Sequence, residues 1–313
     1  MGEGVELAKQ FKVKGYPTFI VTNADGETIE RWADYESPDK FVAAMKKSTT
    51  DPTTIAEKRE RFEREPTARD ASVLGNYHMS REELDEAAGY FETAVDLGDP
   101  ADGYLYDLFI AYLWGHDTET FSSQELIEVA DRTTESPYLT TRQRLELASY
   151  MSRALRKEEE LSAAPYLEAA LNIAENDDDP ELEKLRRSVR IEHALRVAGD
   201  KELALELKRE SLSEGWDEDP DALNGFAWWC FENELNLEEA EELARKGVEL
   251  AEDDSAKAMI IDTVAEIVYL GGDRDEAVAL IAKARELDPE SEYYEKQLAR
   301  FQGDELVEVA DGD

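Results

Sequence analysis

The residue types that most often carry out chemistry are sparse and scattered in this chain of 313 residues. Its one cysteine is Cys230, and its three histidines are His78, His116 and His193. A thiol-disulfide centre needs two cysteines, and a structural zinc site needs four suitably spaced ligands. The sequence also lacks a phosphate loop, a Gly-rich dinucleotide turn and a nucleophile elbow. It therefore predicts no catalytic residue, no metal site and no cofactor. Cys230 can be interpreted either as a small core residue or as a reactive thiol.

A better candidate for a binding role is the segment Gly-Tyr-Pro-Thr-Phe, residues 15–19. Pro17 precedes a β-rich run over residues 18–22, and a residue without an N–H can begin a strand but cannot occupy its centre. Residues 23–26 predict a turn, and residues 28–32 predict a return strand with Ile29 and Arg31 on one face. An amphipathic helix precedes this hairpin, and Ser37 and Pro38 predict the start of a helix after it.

This order of helix, hairpin and helix, with the motif GYPTF in its place, resembles the C-terminal half of the thioredoxin fold over residues 6–45. The resemblance implies that the peptide bond before Pro17 is cis. It also implies that Tyr16, Pro17 and Thr18 form a substrate-facing loop, where a substrate chain pairs with the backbone of Tyr16. The front half of that fold, with its Cys-x-x-Cys dithiol, has no counterpart before Glu6. Either residue 1 is an artificial start within a longer protein, or the half-domain docks on the remainder of the chain.

Beyond residue 48 the strand signals end and helices punctuated by Gly, Pro and Asp begin. Residues 258–291 have the form helix, Gly-Asp turn, helix, Asp-Pro stop. In length and in their pattern of small and large residues they resemble a tetratricopeptide (TPR) repeat. Residues 74–100, 102–137, 145–176, 191–212 and 224–254 follow a similar layout with varying fidelity. The sequence predicts about six such hairpins stacked as a right-handed solenoid.

The predicted fold class is therefore mainly α, a TPR-like solenoid preceded by a partial thioredoxin-like α/β module. The predicted organisation is a partial domain over residues 1–48, a linker helix over 49–66, repeats over 67–302 and an acidic tail over 303–313. The first helix of each hairpin is expected to line a concave face, which makes Tyr77, Tyr104, Trp228 and Trp229 the candidate partner-binding residues. The aromatic residues of these helices fit either a peptide-binding groove or packing between repeats. Trp228 and Trp229 project about 100° apart on a helix, so at least one of them is expected near the edge of the buried stripe.

The net charge of −40 is unevenly distributed. Residues 1–48 contain eight acidic and seven basic residues, so nearly all of the excess lies beyond them. Such a surface repels nucleic acid and anionic lipid and tolerates basic partners, although a solvated, salt-tolerant face is the simpler explanation. No window approaches 18 continuous apolar residues, so no membrane span is predicted. The compartment is expected to be cytoplasmic if Met1 is the true start, and extracytoplasmic if an export signal preceded it.

Three function hypotheses follow from these patterns. In the first, the chain is the protein-binding part of a thioredoxin-family protein, present here without its redox dithiol. The chain as given is then expected to be inactive, whereas an intact parent resembles a thiol-disulfide oxidoreductase. In the second, the chain is a non-catalytic interaction scaffold, and in the third it is a chaperone-like acidic surface. The expected partner is a protein or peptide, with a basic one as an option, and the oligomeric state is left open.

Overall fold

The computed structural model describes residues 3–33, 38–156, 158 and 162–303 of the chain. Contacts divide the chain into two compact units, Met1–Gly199 (unit 1) and Asp200–Asp313 (unit 2). Helices dominate both units, which confirms the mainly α fold class. The predicted helix cap Ser37 and the predicted acidic tail from residue 304 onwards lie outside the described residues. The domain boundaries predicted near residues 48 and 66 stay predictions.

Unit 1 begins with the predicted helix, hairpin and helix and continues with paired helices. Its elements are α1 Glu3–Gln10, β1 Thr18–Thr22, β2 Thr28–Ala33, α2 Pro38–Thr50, α3 Ile55–Arg64, α4 Ala68–Met79, α5 Leu84–Leu97, α6 Tyr104–Asp117, α7 Ser123–Glu135, α8 Thr141–Ala154, α9 Ala164–Asn176 and α10 Glu183–His193. A short π-helical stretch, Ala194–Ala198, follows α10 and ends at Gly199, whose φ of 64° is the left-handed conformation that glycine tolerates best.

The hairpin forms because its turn supplies its own hydrogen bonds. The side-chain Oδ1 of Asn23 accepts from the backbone N–H of Asp25 at 3.0 Å and of Glu27 at 2.9 Å, and Gly26 takes a φ of 82°. Phe19 pairs with Trp32 across the strands, and both rings contact Phe41 of α2. The peptide bond between Tyr16 and Pro17 is cis.

The opposite face of the hairpin docks on the helices that follow it, through Arg31. This arginine is only 2% exposed. Its guanidinium donates to the backbone carbonyls of Phe11, Lys12 (3.1 Å) and, 49 positions away at the end of α4, Ser80 (3.1 Å). Burial of Ile29 and Arg31, and of neither neighbour between or beside them, confirms that these two residues share one face of β2. The hairpin is therefore docked on the helices that follow it.

A second buried cation, Lys58, connects β2 of the hairpin to α3. Its side chain is 2% exposed, and its ammonium donates to the carbonyls of Ile29 (3.1 Å), Asp51 (3.3 Å) and Thr53. Helix α3 begins with a reciprocal capping box between Thr54 and Glu57, which fixes the helix start beside β2. Residues 49–66, predicted as a linker helix, thus hold the end of α2 and the whole of α3, and α3 is a packed element.

Arg61, one turn after Lys58, connects α3 to the segment before it and to α4. It donates to Asp51 Oδ2 at 2.7 Å through Nη2 and to Asp70 Oδ2 at 2.7 Å through Nε. Burial by itself would raise the pKa of Asp51, but hydrogen bonds from Arg61 and Thr53 hold it well below its usual range. This cluster holds α3 against the start of the helical hairpins.

The helical hairpins of unit 1 are α4 with α5, α6 with α7, and α8 with α9. They stack because α5 packs on α6 and α7 on α8, and the first helices α6 and α8 also touch. The segment 102–137, the poorest sequence match, is one of these hairpins, with Leu108, Phe109 and Leu113 fully buried. The predicted hairpin over residues 191–212 spans the boundary between the two units.

Close packing between α4 and α5 predicts opposite effects for two glycines. A Cβ at Gly75 would lie 2.7 Å from Cε1 of the buried Phe91, whereas one at the exposed Gly89 would meet no atom within 4 Å. We expect Gly75→Ala to lower the free energy of unfolding by about 1–3 kcal/mol through overpacking. We expect Gly89→Ala to raise it by about 0.5–1 kcal/mol through helix propensity. Urea unfolding followed by circular dichroism measures both, and a Gly75→Ala protein as stable as Gly89→Ala would contradict this account of the packing.

Unit 2 repeats the hairpin pattern. Its helices are α11 Lys201–Glu210, α12 Pro220–Glu232, α13 Leu237–Leu250, α14 Asp254–Leu270, α15 Arg274–Leu287 and α16 Glu292–Gln302. Helices α12 and α13 form one hairpin and α14 and α15 another, and they stack through α13 on α14 and α12 on α14. The small residues Ala265, Ala277 and Ala284 have no exposed surface, which explains the close approach of α14 and α15.

Candidate functional site

The loop of residues 14–18 leads into β1 and contains the predicted substrate-facing residues Tyr16, Pro17 and Thr18. Tyr16 is 84% exposed, a high value for so large an apolar ring. Thr18 Oγ1 donates to the carbonyl of Gly15 at 2.6 Å, which closes the loop on itself. The loop therefore holds the Tyr16 ring away from the core, where a partner can reach it.

This loop forms one wall of a shallow groove of about 230 Å³. The opposite wall comes from the end of α4, the turn after it, and Trp114 of α6; the lining residues are Lys14, Gly15, Tyr16, Pro17, Thr18, Ala33, Met79, Ser80, Glu82 and Trp114. Arg31 fixes the two walls relative to each other, because it binds Lys12 before the loop and Ser80 opposite it. The groove is smaller than most cofactor sites and suits one or two side chains of an extended peptide.

Sequence reasoning placed three of these residues, Tyr16, Pro17 and Thr18, in a site, and the structure brings them together in one wall. It missed Met79, Ser80 and Glu82, because nothing local marks the end of α4 as a neighbour of the loop. The aromatic character of Trp114 was a signal, but its partner across the groove lies almost one hundred positions earlier. Their role in binding stays a prediction.

The other predicted partner-binding residues of unit 1 make packing contacts outside this groove. The guanidinium of Arg81 lies over the ring of Tyr77, 5.3 Å from its centre, and the ring of His78 packs edge to face against it. Tyr104 is half-buried, and a Cβ on Gly98 would lie 2.6 Å from its ring, so glycine is needed there for the ring to fit. These contacts favour the interpretation of both tyrosines as packing residues.

Trp228 and Trp229 of unit 2 differ from one another, as the sequence predicts for adjacent helical positions. Trp229 packs against the core with Phe226, and the ammonium of Lys208 lies 5.5 Å from its ring centre. Trp228 is half-buried, and its ring packs at 5.1 Å against that of Phe231 on the same helix. Trp228 is consequently the better placed of the two for a partner.

Cys230 follows these two tryptophans in sequence but is fully buried in unit 2. Burial, reinforced by the nearby charge of Glu239, raises the pKa of the thiol to about 12. A thiol exchanges disulfides only as the thiolate, so this side chain is inert in the folded chain. The interpretation of Cys230 as a core residue is confirmed.

Two of the histidines take structural positions. His78 Nδ1 lies 2.7 Å from Glu83 Oε2, and its ring stacks on Tyr90. His116 Nε2 lies 3.1 Å from Ser123 Oγ, but that hydroxyl donates to Glu158 Oε1 at 2.6 Å. Because the serine proton is directed at a carboxylate, the pair is not a nucleophile with its base.

Metal binding and membrane insertion have no candidate within the described residues. No cluster of three or more carboxylate, imidazole or thiol side chains there could hold a metal ion. None of the helices in the described ranges is long and apolar enough to cross a bilayer.

Comparison with known proteins gives matches among solved structures alone. No protein-family model and no curated protein matches the chain. Three similar solved structures are the TPR protein YrrB, described as having an unusual peptide-binding site; the TPR2AB domain of yeast Sti1 in a pHSP90 complex; and TTC0263, a thermophilic TPR protein of Thermus thermophilus. Identities are 16%, 13% and 18%, and TM-scores are 0.36, 0.28 and 0.31. The matches cover 76%, 76% and 75% of this chain and 96%, 97% and 99% of the other chains. Every TM-score is below 0.5, so the description of the repeats rests on the packing of this chain itself.

Proposed function

We propose that this chain is a protein-binding module in which TPR-like hairpins support a peptide-contacting loop at Tyr16, Pro17 and Thr18. We further propose that the N-terminal hairpin is a partial thioredoxin-like piece of a thiol-disulfide exchange protein, present here without the redox dithiol. The observation that carries the binding proposal is the exposed Tyr16 ring beside a groove whose far wall includes Trp114. Aromatic side chains beside a groove are typical anchors for peptide binding.

The edge of the hairpin supports the same proposal. Within the described residues β1 pairs with β2 on one side, so its other edge keeps backbone N–H and C=O groups for an added strand. An extended peptide can add to such an edge through main-chain hydrogen bonds while its side chains enter neighbouring pockets. The order α1, β1, β2, α2 supports the thioredoxin-like part of the proposal.

Site-specific photocrosslinking tests the loop. A benzoylphenylalanine in place of Tyr16 is expected to capture short random peptides at least about tenfold more efficiently than one in place of Tyr138, an exposed tyrosine after α7. Trp114→Ala in the Tyr16-labelled protein is expected to remove most of that advantage. Equal capture at the two positions would overturn the assignment of the loop as the peptide site.

A further inference from the structure

The first helices of unit 2 carry the same pattern of buried and polar positions, 38 residues apart. Each ends at a residue of positive φ, Glu234 in one repeat and Gly272 in the next. The next residue donates its backbone N–H to a carbonyl of the helix. Leu235 donates to the carbonyl of Cys230, and Asp273 donates to that of Val268. In this register Asn224 of α12 corresponds to Asp262 of α14. Helices α12 and α14 pack on each other, so these two equivalent positions lie on contacting helices.

These two equivalent residues share an unusual defect. The Oδ1 atom of Asn224 and the Oδ1 atom of Asp262 are both buried, and neither has a hydrogen-bond partner in the described part of the chain. Asp262 as a whole is only 6% exposed. Its other oxygen accepts from the hydroxyl of Tyr293 at 3.0 Å, and Gln297 Nε2 donates to that hydroxyl at 2.7 Å. A buried acceptor without a donor is destabilising, so a pair of them calls for a donor from elsewhere.

Charge at the same place is also unbalanced. Glu266, one turn after Asp262, accepts hydrogen bonds from Arg300 and from Gln297 Nε2 (2.8 Å). Arg300 is held there by its contacts over the rings of Tyr269 and Phe301. Asp262 makes no salt bridge to any described residue, and burial raises its pKa to about 6. Residues 200–313 contain 34 acidic and 11 basic residues, so the surroundings offer little compensation.

We propose that Asp262 and Asn224 receive a lysine side chain from a basic segment of a partner protein. The ammonium supplies both the missing positive charge and hydrogen-bond donors, which a neutral amide of the partner would not do. Trp228 lies one turn after Asn224 on α12, where its ring can flank the aliphatic stem of the lysine. The inference rests on the proposed protein-binding function but uses a surface of unit 2, separate from the Tyr16 loop.

Binding of a pentalysine peptide to the full chain near pH 7.5, measured by calorimetry against its fully acetylated form, tests this site. Asp262→Asn is expected to weaken binding about tenfold, the loss of one charged hydrogen bond. Asp275→Asn removes the same charge from an exposed position of α15 in the same unit, and we expect less than about twofold weakening. Trp228→Ala is expected to lie between the two.

Two outcomes would overturn the inference: equal weakening by Asp262→Asn and Asp275→Asn, which indicates diffuse attraction to an acidic surface, or equal binding of the acetylated peptide. Trp114→Ala separates this test from that of the proposed function. This substitution removes part of the wall of the groove beside Tyr16, and it is expected to leave pentalysine binding unchanged. Failed crosslinking at Tyr16 with intact, Asp262-dependent lysine binding would reject the loop and keep this site.

Discussion

Replacing Arg31 with methionine is expected to release β1 and β2 from α4 and to lower the free energy of unfolding of unit 1 by about 3 kcal/mol. Methionine fills a similar volume but donates no hydrogen bond. The carbonyls of Phe11 and Lys12, which are partly buried, and that of Ser80, which is buried, would lose a charged donor. Arg31→Lys is expected to recover part of the loss, because one ammonium cannot reproduce the forked geometry of a guanidinium.

Hydrogen exchange by mass spectrometry locates this effect. In the Arg31→Met protein the amides of Thr18–Thr22 and Thr28–Ala33 are expected to exchange faster, while those of α14 in the other unit keep their wild-type rates. Arg64→Met is the matched control, since Arg64 is exposed and its hydrogen bond, at 3.3 Å, returns to Glu60 of its own helix. If Arg31→Met exchanged no faster than Arg64→Met, the guanidinium would not be what attaches the hairpin.

The second large effect is a stabilisation, by Asp262→Asn. The pKa of Asp262 is raised from 3.8 to about 6 by burial and by Glu266, against the opposing hydrogen bond from Tyr293 and the charge of Arg300. A carboxyl whose pKa is higher in the folded state stabilises the fold fully below about pH 4, and this contribution is lost as the pH rises through about 6. The rise of this pKa from 3.8 to about 6 corresponds to about 3 kcal/mol of folding free energy. Asparagine keeps the shape without ionising, so at pH 7.5 the variant is expected to be more stable than wild type.

Cys230 offers a readout confined to unit 2, because it is the one cysteine of the chain and is buried there. Pulse labelling with methyl methanethiosulfonate after equilibration in urea reports the unfolding midpoint of that unit. The difference between Asp262→Asn and wild type is expected to be small at pH 4.5 and largest above pH 6.5. A difference that does not change with pH would show that Asp262 does not titrate as described. If the variant also binds lysine peptides more weakly, then the carboxylate that lowers the stability of the fold is the one that binds the peptide.

Local features of this protein could be predicted from its sequence, and long-range ones could not. The strand over residues 18–22, the turns at Gly26 and Gly199 and the helix end before Pro289 follow from periodicity and turn chemistry, which act over a few residues. The contacts of Arg31 and Lys58 do not follow from such local signals. Both cations bind backbone carbonyls, and since every residue carries a carbonyl, the acceptors leave no mark in the sequence. Lys58 stands in the charged run Glu-Lys-Arg-Glu, which gave no reason to expect a buried ammonium.

The candidate sites divide in the same way. Tyr16 and Pro17 were predictable because a motif marks them, whereas the far wall of their groove depends on how α4 and α6 fold back on the hairpin. Asp262 looked like one of 75 acidic residues. Its burial beside Tyr293 depends on α16 bringing that tyrosine, 31 positions later, to α14, which a single sequence does not specify.

The attachment of the hairpin through main-chain oxygens has a consequence for how this protein can change. Six carbonyls, those of Phe11, Lys12, Ile29, Asp51, Thr53 and Ser80, hold the two cations, and each carbonyl persists whatever side chain its residue bears. A substitution at Ser80 therefore leaves the acceptor atom of this joint in place. Natural variation can thus rewrite what the groove recognises while Arg31 and Lys58 keep its walls in register.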